Sequence, residues 1–552
     1  MRRIPFATAI AFAALCASAQ AQQAPDAGRV LRDQQAPVLE VPRRSAPDLK
    51  IDEPLRPALK PAPGLRLTLR AVHITGNSAF AQSELLPLVE GLVGKDIGFD
   101  ELQEAVARVT RFYREHGYPV ARAYLPVQDI VGGSVEITVL EGRFGKVEFS
   151  NASRLADDVV RRHLDRLSGI AISQRELERR LLLLEDLAGP GSARSGLRAG
   201  ANPGESDLTV SMAATRAMTG SVELDNYGNR FIGATRLTGE ARLLSPLGLG
   251  DRLDARWTHG FKGLDYGRVG YQVPVGSDGL RIGAAYARTE YQLGGNFSAL
   301  QASGEANTAT LNASYPFVRS VAFNLTGFAS YDARDLQDRV ASTGTVTDKS
   351  SRALALGLSG DVLTENSINA FTLSAASGKL NIETPAALAA DAASARSNGR
   401  FSKLGYSALR LQSLSESWSL YLSVYGQVAG NNLDSSEKFV LGGANGVRAY
   451  PQGEGSGDSG YVATAEIRYS MNTSLGVLQP FAGYDAGMVR INRNPFGAAA
   501  NKRNLGAYVT GVSLLKAGDY QLKFMLAARG RQPAVSDTDR TSRVWLQLAK
   551  YF

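Results

Sequence analysis

Cysteine is almost absent from this sequence, because Cys16 is the only one among 552 residues. It lies in a predicted signal peptide at residues 1–21, where two arginines precede a mostly apolar run and Ala19-Gln20-Ala21 forms a small-residue cleavage site. The predicted mature chain therefore has no cysteine and cannot form an intramolecular disulfide, although the signal directs it to an oxidising compartment.

Long apolar runs are missing as well. After the signal, no stretch of 18 or more apolar residues occurs, so the sequence predicts no transmembrane helix. A strand of a membrane barrel needs only about 9–11 residues, of which every second one is apolar. The mean hydropathy of −0.14 suits such a protein, with an apolar outer face and a wet lumen. The shortage of apolar runs therefore leaves a β-barrel membrane protein possible.

Signals of catalysis and of nucleic-acid binding are also lacking. The four histidines are scattered, without metal-ligand spacing: His73, His116, His163 and His259. The glycine-rich residues 453–458 do not lie between a predicted strand and helix, so they are not a phosphate-binding fingerprint. The net charge of +8 is mild for this length and is not concentrated in a basic stripe. We predict no enzyme, no cofactor, no metal site and no nucleic-acid partner.

The first mature residues do not resemble a packed domain. Within residues 22–36, the stretch 27–35 predicts two or three turns of polar helix, with Val30 and Leu31 as its few apolar residues. Residues 37–65 are rich in proline, which favours an extended, semi-rigid linker. Two interpretations stay open at this point, a disordered terminus or a short helix on a long tether.

Two copies of one small α+β unit follow, at residues 66–143 and 144–214. Each has the order strand, helix, helix, strand, strand. In the first, Leu102, Ala105, Val106, Val109 and Phe112 recur at helical spacing. In the second, Ser173-Gln174-Arg175-Glu176 is a capping box that begins a helix, and Gly189-Pro190 ends it. This repeat resembles the POTRA module, a periplasmic polypeptide-binding domain. The alternative is two unrelated α+β pieces.

Strand periodicity replaces helical periodicity in residues 215–552. In one clear segment, Ala463, Ala465, Ile467 and Tyr469 alternate with Thr464, Glu466, Arg468 and Ser470. Alternation of this kind over about ten residues is the repeat of a transmembrane barrel. About sixteen antiparallel strands fit, with starts near residues 219, 235, 251, 265, 280, 307, 321, 351, 370, 402, 418, 461, 478, 505, 520 and 543.

The connections between these strands alternate in length. Short ones are predicted at 245–250, 275–279, 317–320, 413–417 and 516–519, and long ones at 293–306, 334–350, 380–400, 431–460 and 492–504. Short turns on one side and long loops on the other are typical of outer-membrane barrels. The short side is assigned to the periplasm, where the N-terminal units lie. A soluble all-β protein is the alternative, but it needs no such pattern.

These parts in this order resemble the two-partner secretion outer-membrane transporters, the haemolysin-activator and filamentous-haemagglutinin transporter family. Local carriers of the resemblance are residues 225–228 (Asp-Asn-Tyr-Gly), 249–253 (Leu-Gly-Asp-Arg-Leu), 447–450 (Val-Arg-Ala-Tyr) and 481–487 (Phe-Ala-Gly-Tyr-Asp-Ala-Gly). In the family the third position of the loop motif is usually glycine, where this chain has Ala449. The terminal aromatic Phe552 looks like the signal that barrel-assembly machinery recognises.

The resemblance implies a latch between a loop arginine and a strand aspartate, here Arg448 and Asp485. Strand parity supports it independently, because Phe481, Gly483 and Gly487 share the lumen-facing parity of Asp485. An aspartate facing lipid would be costly, and glycines in a strand leave room for a loop against the wall. Val447 and Tyr450 complete the predicted site. The alternative is that the arginine is a solvated loop residue and the aspartate an ordinary lumen charge.

The resemblance further implies a function. The expected fold is a sixteen-stranded outer-membrane β-barrel with two periplasmic POTRA domains and an N-terminal plug helix. The expected activity is secretion of one large partner exoprotein that carries an N-terminal secretion domain. Outer-membrane lipid and barrel-assembly machinery are the other expected partners. The rivals are a barrel-assembly insertase of the same superfamily, which typically carries more N-terminal modules, and a passive porin, which needs neither modules nor plug.

Overall fold

The computed structural model describes residues 24–35, 48–52, 66–189, 191–497 and 500–552. The predicted signal peptide and most of the predicted linker lie outside these residues. Helix α1 (Ala27–Gln35) and strand β1 (Asp48–Asp52) are the two elements that precede the first α+β unit. Within the described ranges, no helix combines the length and the apolar character needed to cross a membrane.

The first α+β unit packs its helices on a small sheet in the order β3-β6-β5. Its elements are β2 (Arg66–Thr68), β3 (Ala71–Thr75), α2 (Gln82–Leu85), α3 (Pro87–Glu90), β4 (Asp96–Gly98), α4 (Phe99–Glu115), β5 (Arg122–Tyr124) and β6 (Ser134–Leu140). Helix α4 buries the apolar stripe seen in the sequence, although Phe112 is only partly buried and Tyr113 is fully buried. The Tyr113 hydroxyl donates to Glu141 at 2.9 Å, and burial raises the pKa of Tyr113 above its usual value.

The second unit repeats this plan. Its elements are β7 (Arg143–Asn151), α5 (Asp157–Leu164), α6 (Gln174–Ala188), β8 (Ala193–Ala199) and β9 (Glu205–Met212). Ser173 caps α6 by accepting the backbone N–H of Glu176 at 3.2 Å. The sheet order is β1-β8-β9-β7, so the upstream strand β1 has joined this unit. Residues 48–52 were expected to be part of an extended linker, without a strand.

A closed antiparallel barrel of sixteen strands forms the rest of the chain. The first eleven are β10 (Met218–Asp225), β11 (Arg236–Leu244), β12 (Arg252–Gly260), β13 (Leu264–Val275), β14 (Leu280–Gln292), β15 (Ala302–Arg319), β16 (Phe323–Val340), β17 (Thr345–Leu363), β18 (Ser367–Ile382), β19 (Gly399–Ser413) and β20 (Trp418–Ala429). Helix α7 (Pro385–Ala392) lies in the loop between β18 and β19.

The remaining strands follow the longest loop. That loop contains β21 (Phe439–Val440) and β22 (Ser456–Gly457), which pair with each other. The barrel then continues with β23 (Ser459–Tyr469) and its short extension β24 (Met471–Thr473), which together form one wall strand, and with β25 (Gly476–Arg490), β26 (Lys502–Lys516), β27 (Tyr520–Arg529) and β28 (Ser542–Tyr551). Pairing of β10 with β28 closes the barrel.

The prediction of a long loop at residues 334–350 is wrong. Strand β16 continues to Val340 and β17 begins at Thr345, so only residues 341–344 connect them. Outside the membrane both faces of a hairpin are in water. Its strands therefore continue there without the alternation of apolar residues from which the strand ends were predicted. The outer face of the wall is apolar, as in Leu354, Leu356 and Leu358, which are 49%, 54% and 41% exposed.

The second α+β unit is fastened to the short turns of the barrel. Arg180 donates to the Asp278 carboxylate at 3.0 Å, and this hydrogen bond lowers the pKa of Asp278. Asp186 makes a two-oxygen pair with Arg319, at 2.8 and 2.7 Å. The backbone N–H of Ala156 donates to a third turn, at residue 248. Helix α6 and the start of α5 therefore hold the unit against one side of the barrel rim.

Candidate functional site

The long loop between β20 and β23 folds into the barrel instead of projecting from it. Its central residues are buried, with Leu441, Val447 and Tyr450 at 0% exposure. The Tyr450 hydroxyl donates to the carbonyl of Gln532 at 2.9 Å, and the wall residue Trp545 donates its Nε1 proton to the carbonyl of Arg448 at 2.7 Å. The loop is therefore bonded both to the wall and to the connection between β27 and β28.

Arg448 and Asp485 meet in a two-bond contact. The guanidinium donates from Nη2 to Oδ1 at 2.6 Å and from Nε to Oδ2 at 2.8 Å. The backbone N–H of Arg448 also donates to Oδ2 at 3.1 Å, and Thr464 donates to Oδ1 at 2.9 Å. Asp485 is 0% exposed and Arg448 is 5% exposed. Planar two-bond geometry fixes orientation as well as attraction, so the contact joins the loop to β25 in one defined orientation.

Glu466 is a third member of this site and was not among the predicted site residues. It accepts from Nη1 of Arg448 at 2.6 Å and is held in turn by Arg468, whose Nε lies at 2.8 Å. Its lumen-facing parity was visible in the sequence, but many polar wall residues share that parity. Arg448, Asp485 and Glu466 therefore form one buried charge network, in which a single guanidinium donates to two carboxylates.

The other predicted site residues lie around this network. Phe481 lies under the guanidinium, whose central carbon is 6.0 Å from the ring centre. A Cβ at Gly487 would lie 2.9 Å from Leu441 and 3.1 Å from Val447, both loop residues. A Cβ at Gly483 would instead meet the neighbouring strand, 2.3 Å from the carbonyl of residue 465. Gly487 therefore leaves space for the loop, whereas Gly483 allows its strand to pack closely against the neighbouring strand β23.

Ala449 occupies the position of the usual glycine without backbone strain. Positive φ among non-glycine residues of the described chain occurs only at Ser245, Gln301 and Arg396. Alanine is thus compatible with the backbone that positions Arg448. The terminal Phe552 exchanges two backbone hydrogen bonds with Gly220, at 3.0 and 3.1 Å, and extends the closing seam.

Acidic loop residues and basic wall residues make further pairs. Asp434 binds Lys349 at 2.8 Å, and Glu437 binds Lys403 at 2.6 Å and also Arg334. Glu454 pairs with the wall residue Arg503. In these pairs the loop provides the acidic residue and the wall provides the basic one. In the network of Arg448, Asp485 and Glu466 the loop provides the arginine and the wall provides the carboxylates.

Helix α1 lies in the lumen beside this loop. Val30 and Leu31, both 1% exposed, pack in a cluster with Phe231, Leu264, Tyr291 and Leu336 of the barrel. The N–H of Ala27 donates to Asp338 at 2.7 Å, near the end of β16 remote from the periplasmic turns. The helix therefore lies in the outer half of the lumen.

The helix and the loop also bind each other. Arg29 donates to the carbonyl of Gly453, and Gln452 donates to Asp33 at 3.0 Å. A Cβ at Gly28 would lie 2.7 Å from Ser435, so close approach requires glycine there.

A sixteen-stranded membrane barrel with α+β units at its periplasmic rim, and with a loop and a helix inside its lumen, defines an outer-membrane polypeptide transporter. The profile of the POTRA domain, ShlB-type, matches residues 67–142. The profile described as haemolysin secretion/activation protein ShlB/FhaC/HecB matches residues 204–514. The chain belongs to this family.

Known proteins agree with this assignment. The heme/hemopexin transporter protein HuxB of Haemophilus influenzae is 27% identical over 503 residues, covering 89% of this chain and 88% of that protein. The outer membrane transporter CdiB of Dickeya dadantii is 23% identical, covering 79% and 78%. The solved structure of CdiB from Escherichia coli has a TM-score of 0.75 at 19% identity, covering 90% and 93%. That structure supports the fold alone.

The family membership decides between the functions left open by the sequence. The chain is a two-partner secretion transporter of the outer membrane, with its POTRA domains in the periplasm, and it works with a large secreted partner protein. Members of the family are transporters. The structure of BamA from Haemophilus ducreyi lacking POTRA domains 1–3 is a more distant fold relative, with a TM-score of 0.52 and 12% identity.

Proposed function

We propose that the chain exports one large, unfolded partner through its barrel lumen, and that the lumen is closed at rest by two removable parts. One part is helix α1, and the other is the loop held by Arg448 and Asp485. The carrying observation is that both parts lie in the lumen and bind each other through Gln452 and Gly453. Departure of either part removes contacts of the other.

The domains divide this work. Residues 22–36 act as the plug and 37–65 as its tether, residues 66–143 and 144–214 receive the partner, and residues 215–552 form the pore. The edges of POTRA sheets suit an extended segment, because a strand added to a sheet edge is recognised first through its backbone hydrogen bonds. The sequence has no nucleotide-binding fingerprint. Folding of the partner outside the cell then supplies the direction of transport.

The secreted partner itself carries an N-terminal secretion domain in this proposal. The test asks first whether the neighbouring gene encodes a very large secreted protein, and then co-expresses that protein with this chain and measures it in the culture supernatant. Release that requires this chain supports the proposal. Retention of the exoprotein in the periplasm, with a correctly inserted barrel present, contradicts it.

A further inference from the structure

The outer edge of strand β8 in the second POTRA domain is already occupied. Strand β1 pairs with it in parallel over five positions, from Asp48 opposite Arg194 to Asp52 opposite Arg198. The whole first α+β unit separates β1 from this domain along the chain. The second domain is thus a complete three-stranded repeat, and β1 is a strand donated to it from outside.

The donated strand is a weak occupant of this edge. It has five residues, whereas β8 has seven. In the sequence Pro47 and Pro54 flank it, and proline has no N–H to donate to a ladder. Parallel pairing is also slightly less stable per residue than antiparallel pairing. A longer segment without prolines would make more hydrogen bonds along β8 and would compete well.

We propose that the edge of β8 is the receiving edge for an extended segment of the secreted partner, and that the chain's own residues 48–52 compete for it. An unoccupied strand edge presents a row of free N–H and C=O groups, which is a template for a further strand. Occupation by the chain's own strand protects that edge until the partner arrives. The identity of the competing segment rests on the proposed secretory function, whereas the competition does not.

The register defines which segment fits. Arg194 and Arg198 are exposed on one face of β8, whereas Ser195 and Leu197 on the other face are 6% and 2% exposed. The two aspartates of β1 lie opposite the arginines. Leu49 lies opposite Ser195, and Ile51 opposite Leu197. The fitting partner segment is therefore acidic, apolar, unrestricted, apolar and acidic at successive positions, and it runs parallel to β8.

A cysteine pair tests whether occupation blocks transport. In full-length chain carrying Cys16→Ser, Asp48→Cys with Arg194→Cys places the two thiols at paired positions. The control, Asp48→Cys with Arg198→Cys, is four residues out of register, about 13 Å along the strand. We expect a disulfide in the first variant only, with secretion reduced at least fivefold and restored by a reductant. Equal cross-linking of both variants, or unimpaired secretion by the cross-linked chain, overturns the proposal.

A peptide assay tests the edge without any secretion. The probe is a labelled peptide of residues 46–54, added to purified full chain in which residues 48–52 are replaced by glycine and serine. We expect at least tenfold tighter binding than to the unmodified chain. Arg194→Glu with Arg198→Glu should weaken binding, and a peptide with lysines in place of both aspartates should restore it. Equal binding to both chains, or no effect of the charge exchange, refutes the proposal that the edge of β8 receives an extended segment. This result would hold even if secretion were intact.

Discussion

Removing the Arg448 side chain should detach the lumen loop. Arg448→Ala takes two of the four hydrogen bonds from Asp485, which is 0% exposed. Breaking a buried ion pair from one side costs about 3–5 kcal/mol, because the remaining charge stays desolvated. We therefore expect the detached loop to gain about 10²- to 10⁴-fold in population. Asp485→Ala should act similarly, although Glu466 still holds the arginine.

Hydrogen exchange measures this detachment directly. The backbone N–H groups of Val447 and Tyr450 are bonded within the loop and should exchange faster in both variants. Secretion, normalised to barrel in the membrane, should fall in Arg448→Ala and in Asp485→Ala, because transport requires the loop to keep one fixed position until the partner displaces it. Arg448→Lys should also fail, because lysine lacks the planar fork. The matched control is Arg242→Ala, which breaks the half-exposed contact with Asp254, at 2.7 Å, for about 0–1 kcal/mol.

The double variant, Arg448→Ala with Asp485→Ala, tests whether the two residues act through their mutual contact or independently of each other. If Arg448 and Asp485 act through each other, the combined loss should be far smaller than the sum of the single losses. Fully additive losses, in exchange rate and in secretion, would mean that loop and strand act separately. The inward-folded loop would then not be held by this pair.

Three further results are expected. Deleting residues 22–36 should raise ion conductance in planar bilayers and spare part of the secretion, since it removes α1 from the lumen; unchanged conductance would argue against a plug. Deleting residues 66–143 should abolish binding of the partner and its secretion, while a heat-modifiable barrel remains in the membrane; continued secretion would exclude the first domain as receptor. Deleting Phe552 should lower the yield of folded barrel, because the seam loses its pairing with Gly220; normal assembly would show that this residue is dispensable.

The barrel strands could be predicted closely because the same physical constraint applies to each of them. A wall strand must alternate between lipid and lumen, so the apolar period alone placed the observed starts at Leu280, Trp418 and Tyr520. The starts of β15 and β17 lie five and six residues before the predicted 307 and 351, at Ala302 and Thr345. Those extra residues are in the part of the hairpins above the lipid, where no apolar constraint acts.

Features that depend on distant partners could not be predicted. Residues 48–52 have only two apolar members, and they become a strand because an edge 146 residues further along the chain accepts them. Glu466 joins the lumen network only because the loop reaches deep enough into the barrel to contact it. The sequence around Glu466 does not encode that depth. The contact of Arg448 with Asp485 followed from resemblance and parity, and the structure brings the two side chains together.

The seam between β10 and β28 also has a consequence for how the barrel forms. It pairs Ser221 with Tyr551, which are 330 positions apart, whereas every other wall contact joins neighbours in the chain. Closing a flexible loop of that length in one step costs roughly 5 kcal/mol of chain entropy. Sequential pairing of hairpins divides this cost, and it leaves the first strand with an unpaired edge until the last strand has joined the sheet. During this interval the nascent sheet can pair with any other open edge, so a catalyst that holds both ends would set the rate of closure.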